Sequence, residues 1–309
     1  MSRRRSAAVL IAAALLLAAP AVWAGVSATD DLGRTVALEK PARRIVSLAP
    51  HVTELLFAAG AGDSVVGAVA YSDYPPAARE IPRVGSYDAV DMERILALQP
   101  DLVVGWASGN GRTTLDRLSE LGLTVYASEP KALGDIASSI DRLGRLAGTS
   151  EKAGAASGAF RRRLAALRRR YSHERPVPVF YEIWNQPLLT VNGDHFISHL
   201  IRLCGGRNVF ASLDTLVPTV DVEAVVAADP EAIVAGGRTA KRPPWLDDWR
   251  DWPDLRAVSN DHLYFIPPDL THRPTPRLLD GAQRLCRQLD EVRRDDPQTG
   301  SPQEKTDDR

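Results

Sequence analysis

The side chains best spaced for chemistry are acids. DMERILALQPDLVVGW, residues 91–106, has a partner in DVEAVVAADPEAIVAG, residues 221–236. At a constant offset of 130, Asp91 falls on Asp221, Glu93 on Glu223, Pro100 on Pro230 and Val104 on Val234. Asp91 and Asp221 suit helix caps, and an acid in the first turn gains about 0.3–1 kcal/mol from the helix dipole. Capping would accept an acid at several positions, so it leaves the shared offset of Glu93 and Glu223 unexplained. Other candidates carry less. His195 and His199 stand four apart in DHFISHL, a spacing that on a helix can chelate Zn²⁺. No third ligand is evident, so a structural or surface role is expected and no metal is assigned. His51 sits in a sensible cleft position just after a strand, but one histidine makes no metal cage. GWASGNGRTT lacks the lysine and full glycine spacing of a phosphate loop. With no G-x-S-x-G elbow and no carboxylate pair set for acid–base work, no catalytic residue is assigned. An exported hydrolase or metal-dependent enzyme is the remote alternative.

The elements that would position such groups alternate. A hairpin around Asp31-Leu32-Gly33 precedes a strand at Ile45–Leu48, a helix stopped by Gly60, and a short strand in SVVGAV. The first acid repeat then gives a helix, Met92–Leu98, a proline stop and a strand, Leu102–Val104; TLDRLSELGLTVYAS repeats that order around Gly122. After Gly148, Ser150 is expected to cap a long helix with Ala153, Phe160, Leu164, Leu167 and Tyr171 on one face. Its arginine runs are expected to be a solvated face rather than a nucleic-acid stripe. A second alternation follows from VPVFYEIW to a closing helix in PRLLDGAQRLCRQLDEV. Trp245, Trp249 and Trp252 are expected on one helical face. The pattern predicts an α/β fold of two Rossmann-like lobes, each a mainly parallel sheet with flanking helices, joined by a rigid helix. The expected boundaries are 25–148 for the first lobe, 149–173 for the connecting helix and 174–294 for the second lobe. Residues 295–309, polar and without a core face, are expected to be a disordered tail.

Residues 1–24 place three arginines before an apolar run ending in Ala24, the grammar of a secretory leader cleaved after that residue. Removing Arg3, Arg4 and Arg5 moves the net charge from −1 to −4, which suggests no nucleic-acid partner. No later apolar run could insert in a membrane. In an oxidising compartment Cys204 and Cys286 favour a disulfide, with two buried free thiols as the alternative.

RIVSLAPHVTELLFAAG, YSDYPPAAREIPRVGSYDAVDMERILALQPDLVVGWASGN, LCGGRNVF and PTPRLLDGAQRLC are similar to the cobalamin-binding branch of the periplasmic solute-binding proteins with a helical link. The resemblance covers residues 28–290 and implies a periplasmic monomer that hands a corrinoid to a two-fold symmetric ABC permease. Cobalamin is then transported ligand, not catalytic cofactor. It places Tyr71, Tyr87 and Trp106 on one cleft wall, and Asp269, Arg273 and the new His272 on the other. Flat amphipathic rings suit a corrin plate with amide fringes. The family's far-lobe aromatics appear here as Leu216 or Val217 and as Leu270-Thr271, and Trp184 is the candidate to restore a ring. Glu93 and Glu223 become permease-docking acids at the lobe tips. A ferric siderophore or haem is the alternative ligand within the same fold.

Overall fold

The computed structural model describes residues 25–295. The leader and residues 296–309 of the tail lie outside the described residues. An antiparallel hairpin, β1 (Val26–Thr29) and β2 (Thr35–Leu38), leads into the first lobe. There β3 (Ile45–Ser47), α1 (Pro50–Ala58), β4 (Val65–Ala68), α2 (Met92–Ala97), β5 (Leu102–Trp106), α3 (Arg112–Glu120) and β6 (Val125–Ser128) follow in turn. The sheet is parallel, in the order β4-β3-β5-β6. Helices α4 (Leu133–Ala147) and α5 (Ser150–Tyr171) then cross to the second lobe.

The second lobe has β7 (Val177–Glu182), a two-stranded ribbon of β8 (Trp184–Asn185) and β9 (Leu188–Leu189), and α6 (Phe196–Leu203). It continues through β10 (Gly206–Asn208), α7 (Val222–Ala228), β11 (Ala232–Ala235), α8 (Arg256–Ser259), β12 (Leu263–Phe265) and α9 (Leu278–Arg294). Its sheet order, β10-β7-β11-β12, reproduces the first: second strand, first, third, fourth. The repeat extends to backbone angles. Gln99 and Asp229, 130 apart, both end their helix with positive φ, 46° and 40°, unusual for non-glycine residues, and each precedes a proline.

The strands are buried on both faces, as parallel strands between helix layers must be. One apolar core runs without a break from Leu55 and Ile140 of the first lobe through Phe160, Leu164 and Tyr171 of α5 to Leu200 and Leu289 of the second. The lobes therefore share packing around α5 as well as covalent continuity.

Three local expectations need correction. Ser150 is the first residue of α5, and its cap position is Thr149, whose hydroxyl donates to the carbonyl of Ala59, 2.7 Å away, instead of capping. The strand beginning VPVFYEIW ends at Glu182, and Trp184 belongs to the separate ribbon. Trp245 and Trp249 lie in a 3-10 turn, Pro244–Asp251, so they do not share an α-helical face; Trp249 is buried and Trp252 exposed.

Cys204, at the C-terminal cap of α6, is disulfide-bonded to Cys286 of α9. Both are buried, and the bond closes a chain separation of 82 residues. The chain-entropy model gives such a loop roughly 4 kcal/mol. Cys204→Ala with Cys286→Ala should lose stability approaching that figure in urea titration. Denatured, unreduced wild type should show no titratable thiol; two thiols would refute the bond.

Candidate functional site

In sheets of this strand order, ligands bind at the carboxyl ends of the strands where the order reverses, between the first and third strands of each lobe. In the first lobe those strands, β3 and β5, deliver His51 and Trp106. Proline at the start of α1 puts His51 in its first turn. Trp106 ends β5, half-buried, with the His51 ring edge-on at 5.3 Å and the Tyr87 ring tilted at 5.8 Å. A Cβ on Gly109 would run into the Trp106 ring, so the indole lies on a glycine. Asn110 locks the group: its Oδ1 accepts from the Trp106 amide at 2.6 Å, and its Nδ2 donates to the carbonyls of Leu48, at 2.9 Å, and Tyr87.

Tyr87 and Trp106 are thus brought together. Tyr71 stands apart, 74% exposed and at φ 63°, on a loop whose Asp73 points across to the second lobe.

On the far side Arg273 pairs with Asp269 at 3.3 Å. It is also held by Glu54 of α1 at 3.2 Å and by Asp73 at 3.1 Å, both from the first lobe. Arg277 completes the group, bonding Glu54 at 2.6 and 2.8 Å and lying 3.9 Å from the Tyr74 ring centre. His272 packs against Tyr181 of β7, whose hydroxyl lies 3.3 Å from its Nε2 and 2.9 Å from the Thr271 hydroxyl. Trp184 pairs with Trp245 at 6.4 Å, under the Arg238 guanidinium at 5.4 Å.

Sequence reasoning missed Glu54, Asn110, Tyr181, Glu182 and Arg277. Two left a signal: Glu54 is an acid in the apolar stretch of α1, and Asn110 sits just before a helix start. The partners that give them meaning are remote in the chain.

The site's titratable groups are shifted by burial. His51 is pushed down to about 3, first by burial and then by the Arg273 charge. Burial also takes His272 down to about 4, and His195, which caps α6 through Nδ1, likewise. Glu182, at the end of β7 and bonded to Trp249 Nε1 at 2.7 Å, is pushed up to about 7 by burial. Among the described residues no three His, Cys, Asp or Glu side chains are grouped to hold a metal ion.

Each depressed histidine contributes stability that is complete above its ordinary value of 6.5 and lost as pH falls toward the folded value. Glu182 acts oppositely: its contribution is present below 4.5 and lost as pH rises through about 7. Three histidines outweigh one glutamate. Folding stability should therefore fall between pH 6 and pH 4.5 on the order of 2 kcal/mol per pH unit, and the melting temperature with it. Glu182→Gln should raise it above pH 7 and steepen the acid limb. A melting temperature flat over that acid range would contradict buried neutral imidazoles.

Comparison with known proteins shows the family of the chain. The chain is 39% identical over 250 residues to the vitamin B12-binding protein of Vibrio cholerae serotype O1, covering 81% of this chain and 90% of the relative. The solved periplasmic vitamin B12-binding protein BtuF of Vibrio cholerae superposes with a TM-score of 0.76 at 38% identity, over 82% of this chain and 98% of that one. A periplasmic haem-binding protein from Pseudomonas aeruginosa superposes at 0.69 with 25% identity, over 79% and 91%. The family model described as periplasmic binding protein matches residues 45–270. By sequence and overall fold, the chain belongs to the periplasmic binding protein family.

Proposed function

We propose that the protein captures cobalamin or a related corrinoid between its lobes and delivers it to a two-fold symmetric ABC permease. The observation that carries this is the ring group of His51, Tyr87 and Trp106 at the strand ends. It occurs in a chain whose close relatives bear the name vitamin B12-binding protein over most of its length. A broad plate with neutral amide fringes suits rings and uncharged imidazoles. The electrostatics favour it over an anionic ferric siderophore, because Arg273 and Arg277 are already matched by Glu54, Asp73 and Asp269. The cargo is no cofactor, and no catalysis is proposed. The functional units follow as lobes at 25–148 and 174–294 linked by 149–173. The working form is a periplasmic monomer released from its leader after Ala24.

Glu93 and Glu223 serve docking in this scheme. The capping role belongs to their neighbours: Asp91 Oδ1 accepts from the Arg94 amide at 3.0 Å, and Asp221 Oδ1 from the Ala224 amide at 2.7 Å. Both glutamates are exposed. Three residues on, Leu96 and Val226, again 130 apart, are each 38% exposed. Each tip so offers an acid beside an apolar side chain, and such charges orient an encounter more than they tighten it.

Mixing the purified protein with cobalamin, haem or a ferric siderophore, then gel-filtering and recording the visible spectrum, tests the ligand class. Cobalamin should co-elute. Trp106→Ala should weaken cobalamin binding at least about tenfold by calorimetry, since a buried ring at a hot spot commonly contributes about 2 kcal/mol or more. Unchanged affinity would remove Trp106 from the wall. Glu93→Ala with Glu223→Ala should leave the melting temperature and ligand affinity near wild type while permease-dependent uptake falls sharply. Full uptake by that variant would return the repeated acids to the fold.

A further inference from the structure

The offset of 130 that aligns the acid-bearing helices also aligns the strands that follow them. Val104 falls on Val234, Gly105 on Ala235, and Trp106, the ring at the centre of the near wall, on Gly236. The far lobe therefore begins its wall with no side chain at the equivalent place. That space is filled. A Cβ built on Gly236 would collide with His272 Nε2 and come within 2.8 Å of its Cε1 and of Tyr181 Oη. The imidazole arrives from the loop after β12 and lies where a side chain from β11 would start. Gly236 has no left-handed φ, so its backbone does not require glycine. What requires glycine is room for the ring. The near wall uses the same device, with Trp106 laid on Gly109. Each wall is a ring resting on a glycine, taken from the strand in one lobe and from a loop in the other.

We infer that His272 is the far-lobe counterpart of Trp106, a specificity-determining residue that meets the carboxamide rim of a corrinoid, with Gly236 and Tyr181 as its positioning residues. The inference rests on the corrinoid reading of the cleft. Tyr181 is fully buried in β7, and its hydroxyl, also held by Thr271, fixes the imidazole through Nε2. A fixed, uncharged imidazole is a planar surface with a polar edge, and with Nε2 held by Tyr181 its Nδ1 can pair with a carboxamide, which supplies either a donor or an acceptor. It carries no charge to attract a carboxylate. The charges nearest to it, Asp269 and Arg273, are paired with each other at 3.3 Å. The class of ligand this wall suits is an amide-fringed corrinoid, and a tetrapyrrole with free carboxylates fits it less well.

The test is a double-mutant cycle read by calorimetry with hydroxocobalamin on the mature chain. His272→Ala and Gly236→Ala should each weaken binding at least about tenfold, the second by evicting the ring. Once the imidazole is gone only the Tyr181 hydroxyl opposes the added methyl, so Gly236→Ala should cost far less binding in the His272→Ala background than in wild type. The clash with Tyr181 Oη is common to both backgrounds and cancels. His272→Gln, polar and uncharged, should recover most of the loss, and melting temperatures check that the variants are folded. Wild-type affinity in folded His272→Ala, or the same cost for Gly236→Ala in both backgrounds, would overturn the inference while leaving the corrinoid reading intact. Failure of wild type to bind hydroxocobalamin would overturn that reading and the inference with it.

Discussion

A buried carboxylate sits at the centre of the ion cluster that joins the two lobes. Glu54 has a side chain only 2% exposed, and it lies between the guanidinium groups of Arg273 and Arg277 from the opposite lobe. Removing one partner of such a group leaves buried charge uncompensated, commonly at a cost of about 3–5 kcal/mol. The lobes can separate only by exposing that network to water or breaking it. Its reach is wider than one pair. Asp73 carries the loop of Tyr71 and Tyr74 toward Arg273, while Tyr74 covers the Arg277 guanidinium. One ion cluster so joins the loop of Tyr71 and Tyr74 to the far-lobe segment of Arg273 and Arg277, while the Trp106 group is held separately by Asn110.

The same cluster bears on the ligand proposed above. Arginines make a cleft suited to anions only while their charge is available. Here three carboxylates face the two arginines, so on the corrinoid reading recognition would fall to Trp106, Tyr87 and imidazoles kept neutral by burial. Around this, the core that continues through α5 makes large lobe motions costly, because separating them would open apolar packing at Phe160, Leu164 and Tyr171. A small rotation on ligand entry is the motion such a scaffold permits.

Much of the fold was legible because it is written locally. Gly60, Gly122 and Gly148 have the left-handed φ that ends a helix, and the apolar face of α5 follows from steps of three and four. The offset of 130 showed the two lobes before any coordinates, and it extends to the paired φ values of Gln99 and Asp229. The site was legible in part. Trp106 could be placed at the carboxyl end of a strand because Ser108-Gly109-Asn110 follows as a turn. The partners of Arg273 could not, since Glu54 and Asp73 lie 219 and 200 residues away and nothing in a linear pattern pairs them. The tryptophans near Trp249 misled for a different reason: spacing of four and three implies a shared face only in an α-helix, and the prolines at 243 and 244 open a tighter turn.

Where the two halves agree and where they diverge follows from what each end of a lobe must meet. The helix starts keep their correspondence closely: Asp91 and Asp221 cap, Glu93 and Glu223 are exposed, and Leu96 and Val226 are equally exposed. The two-fold symmetric permease proposed above would present the same surface to both, so drift at either one would lose a contact that the other keeps. The strand ends are free of that demand. A ligand held between the lobes, as proposed above, would show a different face to each; the scaffold carries an indole in one lobe and, over the glycine at the equivalent position, an imidazole from another loop in the other. One repeated scaffold can then carry a matched pair of exposed acids at its helix starts and an unmatched pair of rings at its strand ends.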